Sequence, residues 1–454
     1  MCQKAVIFNI QADHRFMPLV IVSLGILILF FLIVFFRLNA FIAFVLVAIS
    51  IGIGQGMPLD VLVKSIEKGI GNTLGFLILI LGLGAMLGKL VAESGAAQQI
   101  TNGLIRIFGV KNTKTAVMLT GFIVGITMFY SVGFVILVPL VFTIASATGL
   151  SLIGVGLPML AALSVTHGFL PPHPAPTTLS VMFGADVGKT LIYGIILAIP
   201  AILISGPLLT RFLPKVEAKP LQEFMASKTF APSELPSLTN SLLTALLPVL
   251  LIGLTTLISG LMTENSTAYN ITKFIGNPVI ALLITLLIGT YTLGIARGNS
   301  MDGIMKIYAS AVSGITMVLL IISGAGALKQ ILIDSGVSDY IGGLLQITSL
   351  SPLLIGWVIA TLIRFSVGSA TVAGLTTAGI LLPLVQSSGV SPELMVLAIG
   401  SGSLMLSHVN DAGFWLFKEY FNLSVKETLS TWTVMETSIG ISGLVGVLIL
   451  NQFL

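Results

Sequence analysis

The chain has 454 residues, of which 56% are hydrophobic and only 8% are charged, and its formal net charge is +4. Soluble domains carry roughly 25% charged residues, so this chain cannot cover a water-exposed surface. The charge is too small to point to a nucleic-acid partner, and the single cysteine, Cys2, excludes a disulfide framework and a cysteine metal site. The composition therefore predicts an all-α polytopic membrane protein.

The predicted elements begin after a polar, unpatterned N-terminal extension, residues 1–16. The first apolar run lacks a small-residue cleavage site, and we interpret it as a retained span and not as a signal peptide. Apolar runs predicted to be long enough to span a core of about 30 Å then recur to the end of the chain. In order they are Pro18–Phe36, Ala40–Ile53, Leu74–Val91, Ala116–Ala147, Leu152–Val165, Leu191–Leu209, Leu242–Leu261, Val279–Ile295, Ile304–Leu328, Leu353–Val385, Leu394–Leu406 and Val434–Leu450.

Short motifs recur in the same order about half a chain apart, which predicts an internal duplication. Glu93-Ser94-Gly95 matches Asp334-Ser335-Gly336, and Tyr130-Ser131-Val132-Gly133 matches Phe365-Ser366-Val367-Gly368. His167 matches His408. The predicted repeats are residues 17–210 and 241–454, and the charged, proline-containing segment 211–240 between them is predicted to be an aqueous linker.

The fourth apolar element of each predicted repeat is longer than one span and carries a Ser-Val-Gly sequence inside it. These elements, 116–147 and 353–385, fit a re-entrant hairpin, and a single long tilted helix is the alternative. Five crossings plus one hairpin would invert the second repeat relative to the first. Inverted repeats with broken helices are typical of secondary transporters. The distribution of lysine and arginine among the loops places the linker in the cytoplasm and both termini outside.

A polar, proline-rich sequence interrupts the first half at residues 166–177. It contains His167 and His173, and broken backbone with buried histidine is tolerated in a membrane only where protein or a water-filled cavity satisfies it. Histidine titrates near neutral pH, so both residues are candidates for proton coupling. The alternative is that one of them only satisfies carbonyl groups that the prolines set free.

The matching break in the second half, residues 407–413, contains His408, Asn410 and Asp411. His408 and Asp411 are candidates for proton coupling, and Asn410 is a candidate substrate contact. Asp411 could carry a proton or pair with a basic residue, and an aspartate that caps a half-helix is the alternative.

The Ser-Val-Gly sequences offer hydroxyl groups and closely approachable backbone amides to a ligand. Arg364 precedes the second one inside an apolar segment, where a guanidinium is costly unless it is paired, and its planar fork suits a carboxylate. An internal salt bridge, for example with Asp411, is the alternative. The predicted substrate-binding residues are Arg364, Ser131, Gly133, Ser366, Gly368, Ser369, Thr371 and Asn410.

At these motifs the chain resembles the gluconate permease family of proton symporters, which is part of the wider ion transporter superfamily. The most specific segments are Thr166–Pro176 and Ser391–Tyr420, and the likeness extends from Met17 onward. The resemblance implies proton-driven import of sugar acids such as gluconate across the bacterial inner membrane. It also implies a homodimer in which a transport part moves against a scaffold part in an elevator motion.

Two positions depart from the family pattern. Ser131 stands where an acidic residue is expected in the first hairpin, and Ala412 stands where proline is often found. These departures leave other hydroxy acids and D-serine open as substrates.

We therefore expect a proton symporter for a small hydroxylated carboxylate, embedded in membrane lipid and driven by the proton gradient without a cofactor. The alternatives are a sodium-coupled carboxylate carrier, a channel and an intramembrane enzyme. An enzyme would need a nucleophile and base pair or a metal cluster, and four histidines and one cysteine offer little from which to build either.

Overall fold

The structure, a computed structural model, describes residues 18–454 except 19, 30, 34, 215, 219–229, 265, 338–349 and 410. All regular structure in this part of the chain is helical, which confirms the predicted all-α class. The predicted N-terminal extension, residues 1–16, lies outside the described residues, and so do 215 and 219–229 of the predicted linker. The division of the chain into domains stays a prediction.

The described residues between 20 and 33 are helical, and a series of well-bounded helices follows up to the polar segment in the middle of the chain. These helices are α1 (Ala40–Gly54), α2 (Leu59–Glu93), α3 (Ala96–Phe108), α4 (Thr113–Thr127), α5 (Tyr130–Thr148), α6 (Leu152–Phe169), α7 (Pro174–Phe183) and α8 (Val187–Leu203). A π-helical turn, Ile204–Leu208, continues the last of them.

After the polar segment the described helices resume at Leu238. They are α9 (Leu238–Ser259), α10 (Thr267–Gly276), α11 (Pro278–Gly289), α12 (Met301–Asp334), α13 (Pro352–Val367), α14 (Ala370–Ser388), α15 (Pro392–Gly402), α16 (Ala412–Phe421), α17 (Val425–Thr428) and α18 (Val434–Leu450). A π-helical turn, Leu429–Thr433, joins α17 to α18.

Six helical segments in the described part of the chain are long and apolar enough to cross a membrane, and the number rises to seven if the bent α2 is counted as one span. The bend in α2 measures 40° and lies between Gly75 and Leu77. Shorter apolar helices, among them α4, α13 and α15, lie beside these spans. The molecule is therefore a multi-pass helical protein, as its composition predicts, while the inverted topology stays a prediction.

The two longest helices, α2 and α12, pack directly against each other. Their crossing depends on glycine, because a Cβ atom on Gly69 would collide with the carbonyl oxygen of Gly326. Glycine residues let two membrane helices approach closely. Close packing matters there because lipid is as apolar as the side chains and does not drive the helices together. Near the end of α12, Asp334 accepts hydrogen bonds from Ser65 on α2 (2.7 Å) and from Gln330 (2.8 Å), which adds a polar connection to the same pair.

Both long apolar elements are broken into two helices, but the breaks are not equivalent. In the second element α13 ends at Val367, and Gly368 follows with φ = +76°, a conformation that glycine adopts without steric cost. In the first element α4 ends at Thr127 and α5 already begins at Tyr130. The predicted turn at Ser131-Val132-Gly133 is therefore wrong. These residues form the first turn of α5, and the Gly133 amide donates to Phe129 within that turn.

The two polar breaks predicted from the sequence lie next to each other. The chain leaves α6 at Phe169 and enters α7 at Pro174, a helix position where the missing amide hydrogen of proline costs nothing. Helix α15 passes α6 so closely that a Cβ atom on Gly400 would collide with the carbonyl oxygen of Gly168. This crossing brings the segment after α15, which contains Asp411, toward the break that follows α6.

Candidate functional site

A cavity of about 500 Å³ lies where the broken segments meet. Its size falls in the range of roughly 300–1,000 Å³ that is typical of small-molecule sites. Both broken apolar elements reach it, the first through Phe129 and Tyr130 and the second through the turn after α13. The predicted site residues that line it are His167, Arg364, Gly368, Ser369, Thr371 and Asp411.

Arg364 lies in the last turn of α13 and is 3% exposed. Its Nη2 group forms an ion pair with the carboxylate of Asp411, and its Nη1 group donates to the carbonyl oxygen of Gly368. Its Nε atom is buried and has no hydrogen-bond partner among the described residues. The internal salt bridge considered from the sequence is therefore present, and the guanidinium still has one buried donor without a partner among the described residues.

Asp411 is held from several sides. It is the N-cap of α16, where its Oδ1 atom accepts from the amide of Gly413 at 3.0 Å. Its Oδ2 atom pairs with Arg364 and also accepts from the hydroxyl of Ser407. The Ser407 hydroxyl in turn accepts from the indole nitrogen of Trp432 at 2.7 Å. Asp411 thus caps α16 and pairs with a basic residue, which are two of the three roles considered from the sequence, and its role as a proton carrier stays a prediction.

The two histidines of the first break occupy different positions. His167 lines the cavity, and its Nδ1 atom is buried without a hydrogen-bond partner in the described part of the chain. His173 is also buried, but its Nε2 atom lies 2.5 Å from the carbonyl oxygen of Gly125. A carbonyl oxygen only accepts, so Nε2 donates. Gly125 is in the last turn of α4, and His173 therefore satisfies a carbonyl group that the end of this helix leaves free.

His408 makes the same kind of contact in the second half. Its Nε2 atom lies 3.0 Å from the carbonyl oxygen of Phe365. Phe365 is the third residue from the end of α13, and Gly125 is likewise the third residue from the end of α4. By hydrogen bonding, His408 therefore corresponds to His173, although the sequence repeat aligns it with His167. His408 is partly exposed and is not among the residues that line the cavity.

Four further predicted substrate contacts are not placed at the cavity by the described structure. Gly133 faces Leu163 on α6, and the hydroxyl of Ser366 donates to Leu362 within α13. Asn410 and the side chain of Ser131 lie outside the described residues. Their assignment as substrate contacts stays a prediction.

Sequence reasoning missed two polar residues that line the cavity, Ser164 on α6 and Glu436 on α18. Glu436 is 2% exposed, and its Oε1 atom accepts from the Ser164 hydroxyl at 2.5 Å. Its position in the sequence carried a signal, because an acidic residue inside an apolar helix is a functional candidate by default. Trp432, one helical turn earlier, also lines the cavity.

The cavity therefore presents one guanidinium, two carboxyl groups, an imidazole, and serine and threonine hydroxyls to a ligand. Such a set can bind an anion that also carries hydroxyl groups. Within the described residues no group of three or more His, Cys, Asp or Glu side chains is arranged to hold a metal ion.

Comparison with known proteins gives consistent matches along almost the whole chain. A family model described as GntP family permease matches residues 17–453. The chain is 52% identical over 437 residues to the high-affinity gluconate transporter of Escherichia coli K12, which covers 96% of this chain and 100% of that protein. It is 49% identical over 438 residues to the Gnt-II system L-idonate transporter of the same organism, covering 96% of this chain and 100% of that protein.

A further relative comes from another bacterium, and two solved structures share the fold. The gluconate permease of Bacillus subtilis 168 is 48% identical over 445 residues, with 96% of this chain and 99% of that protein covered. The Alcanivorax borkumensis YdaH transporter superposes with a TM-score of 0.62 at 18% identity, covering 87% of this chain and 88% of its own. Neisseria gonorrhoeae MtrF superposes with a TM-score of 0.61 at 17% identity, covering 86% and 84%.

The two structural neighbours are too distant in sequence to show more than the fold. The family match and the near-full-length identities of about one half show more, because they include the segments that build the cavity. The resemblance stated from the motifs is confirmed, and so is the class of a multi-pass permease. The chain belongs to the GntP permease family.

Proposed function

We propose that this protein is a secondary active transporter that imports gluconate or a related sugar acid across the bacterial inner membrane together with protons. The observation that carries the proposal is the buried ion pair between Arg364 and Asp411 at a cavity of suitable size. The names of the gluconate and L-idonate transporters among the relatives support the substrate class.

The ion pair suggests how substrate and proton would be coupled. A substrate carboxylate and Asp411 compete for the same guanidinium, and a charge buried without a partner is strongly unfavourable. A proton on Asp411 would release Arg364 to bind the substrate carboxylate in a bidentate way. The substrate carboxylate brings one negative charge and the proton brings one positive charge, so the net charge of the site does not change. This exchange would make proton and substrate binding mutually dependent.

The remaining predicted residues receive supporting roles in this proposal. Ser369 and Thr371 lie beside Arg364 and offer hydroxyl groups to the substrate, and Gly368 leaves room for a ligand near the backbone. His167 is a second place at the cavity where a proton can be held or passed on. His173 and His408 remain candidates for coupling, but their contacts with helix-end carbonyls favour a role in holding the breaks.

The transport cycle we propose is an elevator motion of the broken helices against a scaffold, within a homodimer built from inverted repeats. The close packing of the long helices α2 and α12 favours them as part of the scaffold. Among the described residues that line the cavity, α2 contributes none and α12 contributes only Val318.

Uptake into proteoliposomes tests the proposal. Purified protein is reconstituted, and accumulation of labelled gluconate is followed under an inward proton gradient, an inward sodium gradient, or neither. We expect saturable accumulation against a concentration gradient with the proton gradient alone. Accumulation that needs sodium and ignores pH would establish a sodium-coupled carrier instead, and flux without accumulation would establish a channel. A parallel thermal-shift screen with gluconate, L-idonate, small hydroxy acids and D-serine identifies the substrate.

A further inference from the structure

We propose that Glu436, held by Ser164, is a hydroxyl-recognition subsite that makes the cavity selective for polyhydroxylated acids over simple carboxylates. The inference rests on the proposed function, because it requires a hydroxylated carboxylate in this cavity. It assigns a role to a residue pair that the exchange between Arg364 and Asp411 does not use.

The two oxygens of the Glu436 carboxyl group have different surroundings. Oε1 accepts from the Ser164 hydroxyl at 2.5 Å, which fixes the orientation of the side chain. Oε2 is buried and has no hydrogen-bond partner in the described part of the chain. Glu436 also forms no ion pair with any described lysine, arginine or histidine. The pair therefore leaves one carboxyl oxygen without a hydrogen-bond partner in a residue that lines the cavity.

An unused buried acceptor favours a ligand that can donate to it. Every hydroxyl of a sugar acid is such a donor, whereas the methylene groups of a fatty acid are not. A ligand without a hydroxyl at this point would leave the acceptor unpaired after water has been displaced. Sites built to bind a hydroxyl group reject analogues that lack it by factors of up to about 10⁴–10⁵.

The positions of Arg364 and Glu436 also orient the substrate within the cavity. Arg364 lies on α13 and is a donor only, while Glu436 lies on α18 and lines the same cavity with a carboxyl oxygen that can accept. The substrate carboxylate has no proton to donate, so it binds at Arg364. The hydroxylated chain of the substrate then extends toward Glu436. Trp432 and Glu436 lie four residues apart, so the wall next to this acceptor is aromatic.

The test compares two ligands on purified full-length protein. Gluconate and hexanoate have six carbons and one carboxylate each, and differ in their hydroxyl groups. Binding is measured by isothermal titration for the wild type, Glu436→Gln, Ser164→Ala and a control, Glu419→Gln, which changes an exposed carboxylate that pairs with Lys418. Glutamine keeps the size of the side chain and can still accept from Ser164 while turning a donor toward the cavity.

We expect the wild type and the control to prefer gluconate over hexanoate by at least about 100-fold. In Glu436→Gln we expect gluconate affinity to fall by roughly 10- to 100-fold while hexanoate affinity stays the same. Ser164→Ala releases the orientation of Glu436 and is expected to lower the preference by a smaller factor. It keeps the inference testable if Glu436→Gln does not fold.

Other outcomes overturn the inference in distinguishable ways. Equal loss of both ligands in Glu436→Gln would mean that the residue serves the fold or the charge balance. Unchanged selectivity with loss of proton-driven gluconate uptake would make Glu436 a proton carrier, and the proposed function would stand. Wild-type protein that binds neither ligand would overturn the proposed function together with the inference.

Discussion

The guanidinium of Arg364 pairs with the carboxylate of Asp411, which lies 47 residues further along the chain. The two side chains are 4% and 14% exposed, so the pair is largely removed from water. It joins the end of α13 to the beginning of α16. Because each partner is the counter-charge of the other, removing one leaves a buried charge, and any anion that enters the cavity competes with Asp411.

The substitution Asp411→Asn tests this competition. Asparagine is an equally good N-cap, so the contact with Gly413 is expected to persist. The uncompensated guanidinium is expected to cost about 3–5 kcal/mol of stability in the empty protein. A bound substrate then supplies the missing negative charge, so we expect gluconate to raise the melting temperature more in the variant than in the wild type.

The same variant changes the pH dependence. If a proton on Asp411 releases Arg364, wild-type protein binds gluconate more tightly as the pH falls, and Asp411→Asn binds it with an affinity that no longer follows pH. Titration of gluconate at several pH values measures this. A variant whose affinity follows pH as the wild type does would show that Asp411 is not the coupling group.

Arg364→Lys tests the planar fork and not the charge. Lysine cannot reach the Asp411 carboxylate and the Gly368 carbonyl in the same geometry, and it cannot bind a carboxylate in a bidentate way. We expect gluconate affinity to fall roughly 100-fold, and Arg364→Ala to abolish binding. Arg106→Lys, on the exposed side of α3, is the matched control. Near-normal affinity in folded Arg364→Ala would refute the anion-binding role.

The histidine contacts separate a structural role from a coupling role. Glutamine can donate to the same carbonyl groups but cannot titrate, so we expect His173→Gln and His408→Gln to keep proton-driven uptake. His173→Ala is expected to lose about 1–3 kcal/mol of stability, because the buried Gly125 carbonyl loses its donor. His408→Ala should lose less, since water reaches this partly exposed site. Thermal unfolding and proteoliposome uptake measure the two effects, and loss of coupling in a stable glutamine variant would restore that histidine as a proton carrier.

The crossing of α6 and α15 allows a packing test. Gly400→Ala places a methyl group against the Gly168 carbonyl, and we expect a loss of about 1–3 kcal/mol and slower transport, because the two broken segments are pushed apart. Gly253→Ala on α9 is the control. Its added methyl group meets no atom within 4 Å, and alanine is expected to favour the helix by about 0.5–1 kcal/mol. Melting temperatures of the two variants should move in opposite directions.

Much of the candidate site could be inferred from the sequence, because charged residues and interruptions of the apolar helices are rare in a chain this apolar. Arg364 and Asp411 stand out for that reason, and the motifs around His167 and His408 carry the family resemblance. Glu436 satisfies the same rule, but it lies near the start of the apolar run Val434–Leu450, where a polar residue is also expected at the end of a span. Its partner Ser164 carries no such signal, because serine is common in membrane helices.

The sequence by itself determined the all-helical membrane class, the family and the two polar breaks, because hydrophobic length, proline positions and rare polar residues are properties of the local chain. Only the tertiary structure showed that Ser131-Val132-Gly133 lies at the start of a helix, whereas Ser366-Val367-Gly368 lies at the end of one. It also decided which histidine lines the cavity. It also joined Glu436 to Ser164 across 272 residues. These features depend on which helix ends meet, and that is set by the packing of distant helices, which local sequence does not encode.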